Sequence, residues 1–249
     1  MLIAAALAAL MIIFGAPQND LLILKLKKPV KQIVVDENSK AEILAEIQAV
    51  KKLQKTYGKK TKAFTKQLKE LVSDQGTDRE TFNAFYDSVV EYEISTNKEF
   101  IPHRIRIQDN MTMEEWDKVI AASAKAYKKS QKSTKKALAK LKKNLDKMAP
   151  KVVGHLDDPE GKGKADMYMK EFTNIQYDFA VKILETDPFE EEVLTNKNAT
   201  EKELSSMLES TIKEWVSLFD SLSTLHANMA ALATADEWKL IAKELKKII

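Results

Sequence analysis

Apolar residues recur along most of this chain at three- and four-residue spacing, with short polar breaks between the runs. That period predicts helices throughout, an all-α fold. Five positions carry one start signal, a hydroxyl followed three residues later by Glu: Ser39/Glu42, Thr77/Glu80, Thr112/Glu115, Thr200/Glu203 and Thr234/Glu237. In such a capping box the hydroxyl takes the N3 amide and the carboxylate reaches back to the N-cap amide. The predicted helices run from Lys40 to Ser73, Asp78 to Ile94, Met113 to Met148, Ala165 to Thr186, Glu201 to Leu232 and Ala235 to Ile249. Asp187-Pro188 reads as N-cap and N1 of a further short acidic helix. Pro102 and Pro150 mark an irregular stretch (97–110) and a helix end, with a polar loop over 151–164. Long helices and short connections favour an antiparallel bundle of five to six helices over residues 39–249. An extended hairpin of the first and third helices is the alternative.

The N-terminus breaks the amphipathic pattern. Residues 1–17 carry no charged side chain, and Leu21-Leu22-Ile23-Leu24 resumes the apolar run after Gln18-Asn19-Asp20. Residues 1–24 therefore read as a single transmembrane, signal-anchor-like helix meeting membrane lipid, tilted or locally thinning the bilayer to make up its length. A cleaved signal peptide fits less well. It lacks a basic n-region, and the best cut, after Ala16, has Phe14 where a small residue is wanted. Residues 25–38 then form a basic juxtamembrane connector. Its Lys25, Lys27, Lys28 and Lys31 favour a cytoplasmic soluble domain, whereas a true start further upstream would favour export.

Composition narrows the chemistry. The 249 residues include no Cys and only three His, which removes thiolate metal sites, disulfides and Cys nucleophiles. No phosphate-binding Gly loop, Glu-x-x-His, His-Glu-x-x-His or Gly-x-Ser-x-Gly pattern occurs. His155, Asp157, Asp158 and Glu160 match no cation-loop spacing. We therefore expect no cofactor, no metal, no small-molecule substrate and no enzymatic activity.

Charge is the informative feature. Residues 18–156 hold 29 Lys/Arg and 18 Asp/Glu, a net of +11, while residues 157–249 hold 11 and 19, a net of −8. Within the third predicted helix no acid lies between Lys118 and Leu145. The candidate binding stripe there is Lys125, Lys128, Lys129, Lys132, Lys136, Lys140, Lys143 and Lys147, flanked by Lys135 and Lys142. At 100° per residue the lysines fill an arc of about 160°, with Val119, Ser123, Ala126, Tyr127, Ala137, Leu138, Leu141, Leu145 and Met148 on the opposite arc. Like charges three and four residues apart repel. The plain reading is a solvated helix face; the alternatives that would offset the repulsion are the acidic run Glu185 to Glu203, within one chain or in a second copy, and an external polyanion. Lys without Arg or stacking aromatics disfavours nucleic acid. The expectation is a membrane-anchored interaction or scaffold module, engaging a protein partner or its own copy through complementary charged halves. The alternative is a peripheral binder of anionic lipid through helix 125–147.

Thr112-Met-Glu-Glu-Trp116 and Thr234-Ala-Asp-Glu-Trp238 share a phrase. It reads as a recurrent cap-plus-Trp helix start, with an old duplication as the alternative; no repeat of fixed period is seen.

Overall fold

The computed structural model describes residues 21–246, apart from the side chains of 130–134, 183, 184, 211 and 213–217. Among them are eight α-helices and no strand: α1 Ile23–Ile33, α2 Glu37–Ser73, α3 Arg79–Asp109, α4 Met113–Val153, α5 Pro159–Glu185, α6 Glu192–Thr195, α7 Glu201–Leu232 and α8 Ala235–Leu245. The all-α bundle expected from the periodicity is present.

Three capping boxes form as written, at Thr112/Glu115, Thr200/Glu203 and Thr234/Glu237. The other two do not. Asp36 caps α2 by accepting from Ser39 N at 2.8 Å, and Asp78 caps α3 by accepting from Thr81 N at 2.8 Å. Each Asp displaces a nearby hydroxyl, because a carboxylate caps a helix N-terminus as well and also complements its dipole. Thr200→Ala and Thr234→Ala are each expected to cost about 1 kcal/mol in urea unfolding.

Two prolines expected to interrupt helices do not. α3 continues through Pro102 and α4 through Pro150. Phe100, Ile101 and Arg104 are buried around the first, Met148 and Val152 around the second. That burial on both sides outweighs one missing backbone bond. The Asp-Pro start signal operates at 158–159, not 187–188. Asp158 accepts from Gly161 N, opens α5 and shortens the expected polar loop. Asp187 instead accepts from Phe189 N at 3.0 Å in a turn, and α6 begins only at Glu192.

The N-terminal reading changes as well. Residues 1–20 of the expected anchor lie outside the described residues. Leu21, Leu22 and Ile23, read as the end of a lipid span, are 0% exposed within the protein core. Among the described residues no helix is long and apolar enough to cross a membrane. The connector 25–38 is mostly helix α1, which buries Leu26, Pro29 and Val30 and leaves its lysines outward.

The shared Trp phrase proves to be part of a repeat with a register of 122 residues. Shifted by that number, α2 lands on α5 plus α6, α3 on α7, the start of α4 on α8, and α1 on the end of α4. The hydrogen bonds repeat too. Val35 N donates to Glu115 Oε1 (3.1 Å), and its counterpart Asp157 N donates to Glu237 Oε1 (2.6 Å). Trp116 Nε1 donates to Thr195 O (2.6 Å), and Trp238 Nε1 to Ser73 O (3.1 Å). Residues 73 and 195 are themselves counterparts, so each Trp closes on a helix end of the other copy. The two copies are interlocked, and α4 threads through both.

Each copy's ends build a separate core. One joins α1 with Ile43, Ile47, Val50, Phe100, Ile107, Trp116 and Leu204; the other joins the end of α4 with Ala165, Met169, Phe172, Leu222, Met229, Trp238 and Phe82. These two sets are counterparts position by position. Burial is kept while residue identity has drifted, so the period is invisible to a search for repeated letters.

Candidate interaction surface

The stripe lysines sit on α4, the helix that spans both cores. Lys125, Lys128, Lys129, Lys136, Lys140, Lys143 and Lys147 are all exposed; the side chain of Lys132 lies outside the described residues. Among the described residues only one of them reaches the acidic run. Lys128 Nζ lies 3.7 Å from Asp187 Oδ2 and 4.0 Å from Glu190 Oε1. Neighbouring Lys142 pairs with Asp146 at 3.4 Å and lies 5.3 Å from the centre of the Tyr177 ring. Lys125, Lys129, Lys136, Lys140, Lys143 and Lys147 make no ion pair among the described residues. Internal neutralisation therefore reaches one edge of the stripe and leaves the rest.

The helix neighbours explain which edge. α4 packs on α5, α5 on α7, α7 on α3 and α3 on α2. α2 and α4 have no such mutual packing; α1 bridges them at one end of the molecule and α8 at the other. Among the described residues no helix lies between their central stretches, which border an opening there. Lys128 and Lys142 lie on the α5 flank of α4. Lys129, Lys136 and Lys140 lie on the flank toward α2. Ala126 and Ala137, expected in the core, are exposed, whereas Val119 and Leu138 on the same expected arc are buried. A core position stays exposed where its neighbour helix is missing.

The other wall went unnoticed in the sequence. α2 carries no acid between Glu46 and Glu70, and that interval holds eight lysines. Lys51, Lys55 and Lys62 are exposed and, at helical spacing, share one face of α2 with Gly58. A Cβ placed on Gly58 would meet nothing within 4 Å. The signal was legible as a second acid-free Lys run, overshadowed by the denser one on α4.

The repeat fixes the size of the opening. α8 and α1 are the counterparts of the two ends of α4, residues 113–123 and 145–155. The uncovered stretch corresponds to α4 residues 124–144, about 30 Å at 1.5 Å per residue.

The remaining polar candidates are structural. Arg104, fully buried, donates from Nη2 to Leu194 O (2.9 Å) and Asn196 O (3.5 Å) and lies 4.1 Å over the Trp116 ring. Burial pulls its guanidinium down to about 9. Its counterpart His226 donates from Nε2 to Asp74 O (2.9 Å) and meets Trp238 edge-on at 4.8 Å. Burial depresses the His226 pKa, which keeps the ring neutral. Both side chains hold helix-end carbonyls across the copies. His103 bonds to Glu46, whose carboxyl is held low by Arg106 at 2.8 Å. The His155–Glu160 segment is spent on capping and on a Glu160–Lys164 pair at 2.7 Å. Among the described residues no group of three or more potential metal ligands converges.

No protein-family model matches the chain, and neither curated proteins nor solved structures give a match.

Proposed function

We propose that this chain is a non-enzymatic interaction module, and that its binding surface is the basic side formed by the central stretches of α2 and α4. The observation that carries this reading is the pair of acid-free Lys runs on α2 and α4, with six stripe lysines making no ion pair among the described residues. Assembling like charges along two neighbouring edges costs stability unless an anionic partner offsets it. α3, α5 and α7 carry 16 Asp/Glu against 10 Lys/Arg, whereas α2 and α4 carry 21 Lys against 8 Asp/Glu, so charge is unevenly divided between the two sets of helices. The membrane tether belongs to this proposal as well, now resting on residues 1–20 alone. A tether would hold the module near partners at the membrane.

Photo-crosslinking in the cells that make the protein tests the surface. A photoreactive side chain at 129 or 136 is expected to give discrete protein adducts, whereas one at Met167, exposed on α5, gives none. Equal adducts from both sides, or none from the basic side, would overturn the assignment.

A further inference from the structure

We propose that the cleft between α5 and α7 is a binding site for a small organic cation, a guanidinium, amidinium or primary ammonium group on a short apolar body. The site lies in the C-terminal copy and is independent of the basic side. A cavity of about 210 Å³ opens there between one face of α5 and one face of α7. Its floor is apolar. Phe172 and Leu225 are 4% and 3% exposed, and Ile175 is half-buried beside them. Tyr168, Glu171, Asp220, Thr224 and Asn228 bring polar groups to its walls. An apolar floor with a few convergent polar groups is the usual form of a small-ligand site.

The repeat shows what this cleft lacks. Shifted by the same register, Tyr168 corresponds to Glu46, Leu225 to His103 and Asn228 to Arg106. In the N-terminal copy Arg106 crosses the equivalent cleft, between α2 and α3. It donates from Nε and Nη2 to the two Glu46 oxygens at 2.8 and 2.9 Å, and His103 bonds to the same carboxylate. That bridge is a planar cation held across the cleft by the protein itself. In the C-terminal copy both of its ends are replaced, and a cavity stands in its place.

The lining states the charge of the occupant. None of the residues around the cavity is basic, and two are carboxylates, Glu171 and Asp220. Asp220 is shared with Arg79, whose Nη2 lies 2.5 Å from Oδ1, whereas Glu171 makes no ion pair among the described residues. Tyr168, Thr224 and Asn228 each have an oxygen to offer a donor. The rings of Tyr168 and Phe172 add cation–π attraction for a charge held against them. An anion would meet two like charges, and a molecule without donors would pair with none of the oxygens. A cavity of about 150 Å³ accommodates benzene, so this one has room for a ring and a charged head group.

The test titrates the full chain, with ¹³C-labelled Ile and Leu methyl groups, with benzamidine and with its neutral isostere benzamide. Benzamidine is expected to shift the methyl signals of Ile175 and Leu225 saturably and to leave Leu53, the counterpart of Ile175, unmoved. Benzamide should bind at least tenfold more weakly. Glu171→Gln, a change at an exposed position, should weaken benzamidine threefold or more. Y168E/N228R is the decisive variant. It rebuilds the bridge of the N-terminal copy without changing the net charge, and it should remove binding. If that variant does not fold, Glu171→Gln and the benzamide comparison still decide. No saturable shift at Ile175 and Leu225, equal binding of benzamide, or binding indifferent to the substitutions would overturn the site. Discrete protein adducts from a photoreactive side chain at 171 would overturn it in favour of a cationic side chain of a partner protein.

Discussion

Trp116→Ala and Trp238→Ala are each expected to lower the unfolding free energy by about 3–5 kcal/mol, the range for deleting a buried aromatic. The two rings are 1% and 3% exposed. Each indole N–H also caps the end of a helix that belongs to the other copy, Thr195 O for Trp116 and Ser73 O for Trp238. Truncation therefore opens a cavity and strands a carbonyl at once. At Trp116 it also strips the aromatic face from Arg104, a buried cation whose remaining contacts are backbone oxygens. Phe at either site keeps most of the apolar area and loses the N–H bond, so about 1–2 kcal/mol is expected. Urea unfolding followed by circular dichroism measures both pairs. Because each Trp ties one copy to the other, each variant should still unfold in one transition. A large loss at one Trp with none at the other would show that the two sites are not equivalents.

The interlocked repeat was half legible in the sequence. The Thr-x-x-Glu-Trp phrases lie 122 residues apart, and their caps form as the pattern demands. What hid the repeat is that a core position constrains size and polarity more than identity. Ile43 and Ala165 are equivalents, as are Val50 and Phe172, or Arg104 and His226; neighbouring side chains compensate for each difference in volume. The helix boundaries went wrong where tertiary burial overrode a local stop signal, as at Pro102 and Pro150. The apolar Leu21-Leu22-Ile23 was assigned to lipid because a run of aliphatics does not say which apolar medium receives it. The basic stripe on α4 was legible outright, since absence of acid over so many residues survives any folding. Its partner on α2 became meaningful only when the fold placed the two helices on one opening. No reading of spacing alone could supply that, because it depends on α1 and α8 covering the ends and leaving the centre.

Glu93→Gln is expected to stabilise the protein above neutral pH and to leave it unchanged near pH 4. Glu93 is 0% exposed on α3, between the two cores, against α2. Tyr57 donates its hydroxyl to Glu93 Oε1, while Oε2 has no partner among the described residues. Burial pushes the carboxyl up from 4.5 to about 8; the Tyr57 bond, which favours the charged form, offsets only part of this. The folded protein therefore holds a proton that the unfolded chain releases between these two values. Stability is fully present below pH 4.5 and falls as pH rises toward 8, by at most about 1.4 kcal/mol per pH unit. Gln keeps an acceptor for Tyr57 and cannot ionise, so the variant should lose this slope. At pH 9 the gain is expected to be roughly 2–4 kcal/mol, less than the full linkage value because an amide N–H₂ then replaces the unpartnered oxygen. Urea titrations at pH 4, 6, 8 and 9 give the comparison. Parallel pH profiles for the two proteins would mean that Glu93 is ionised in the fold, with its charge compensated at the junction of the two copies. The same titration bears on how the copies are joined. Charge forming at Glu93 loads the point where α2 and α3 pass from one core to the other. If the cores separate before they unfold, the early phase should therefore grow with pH in the wild type and stay flat in the variant.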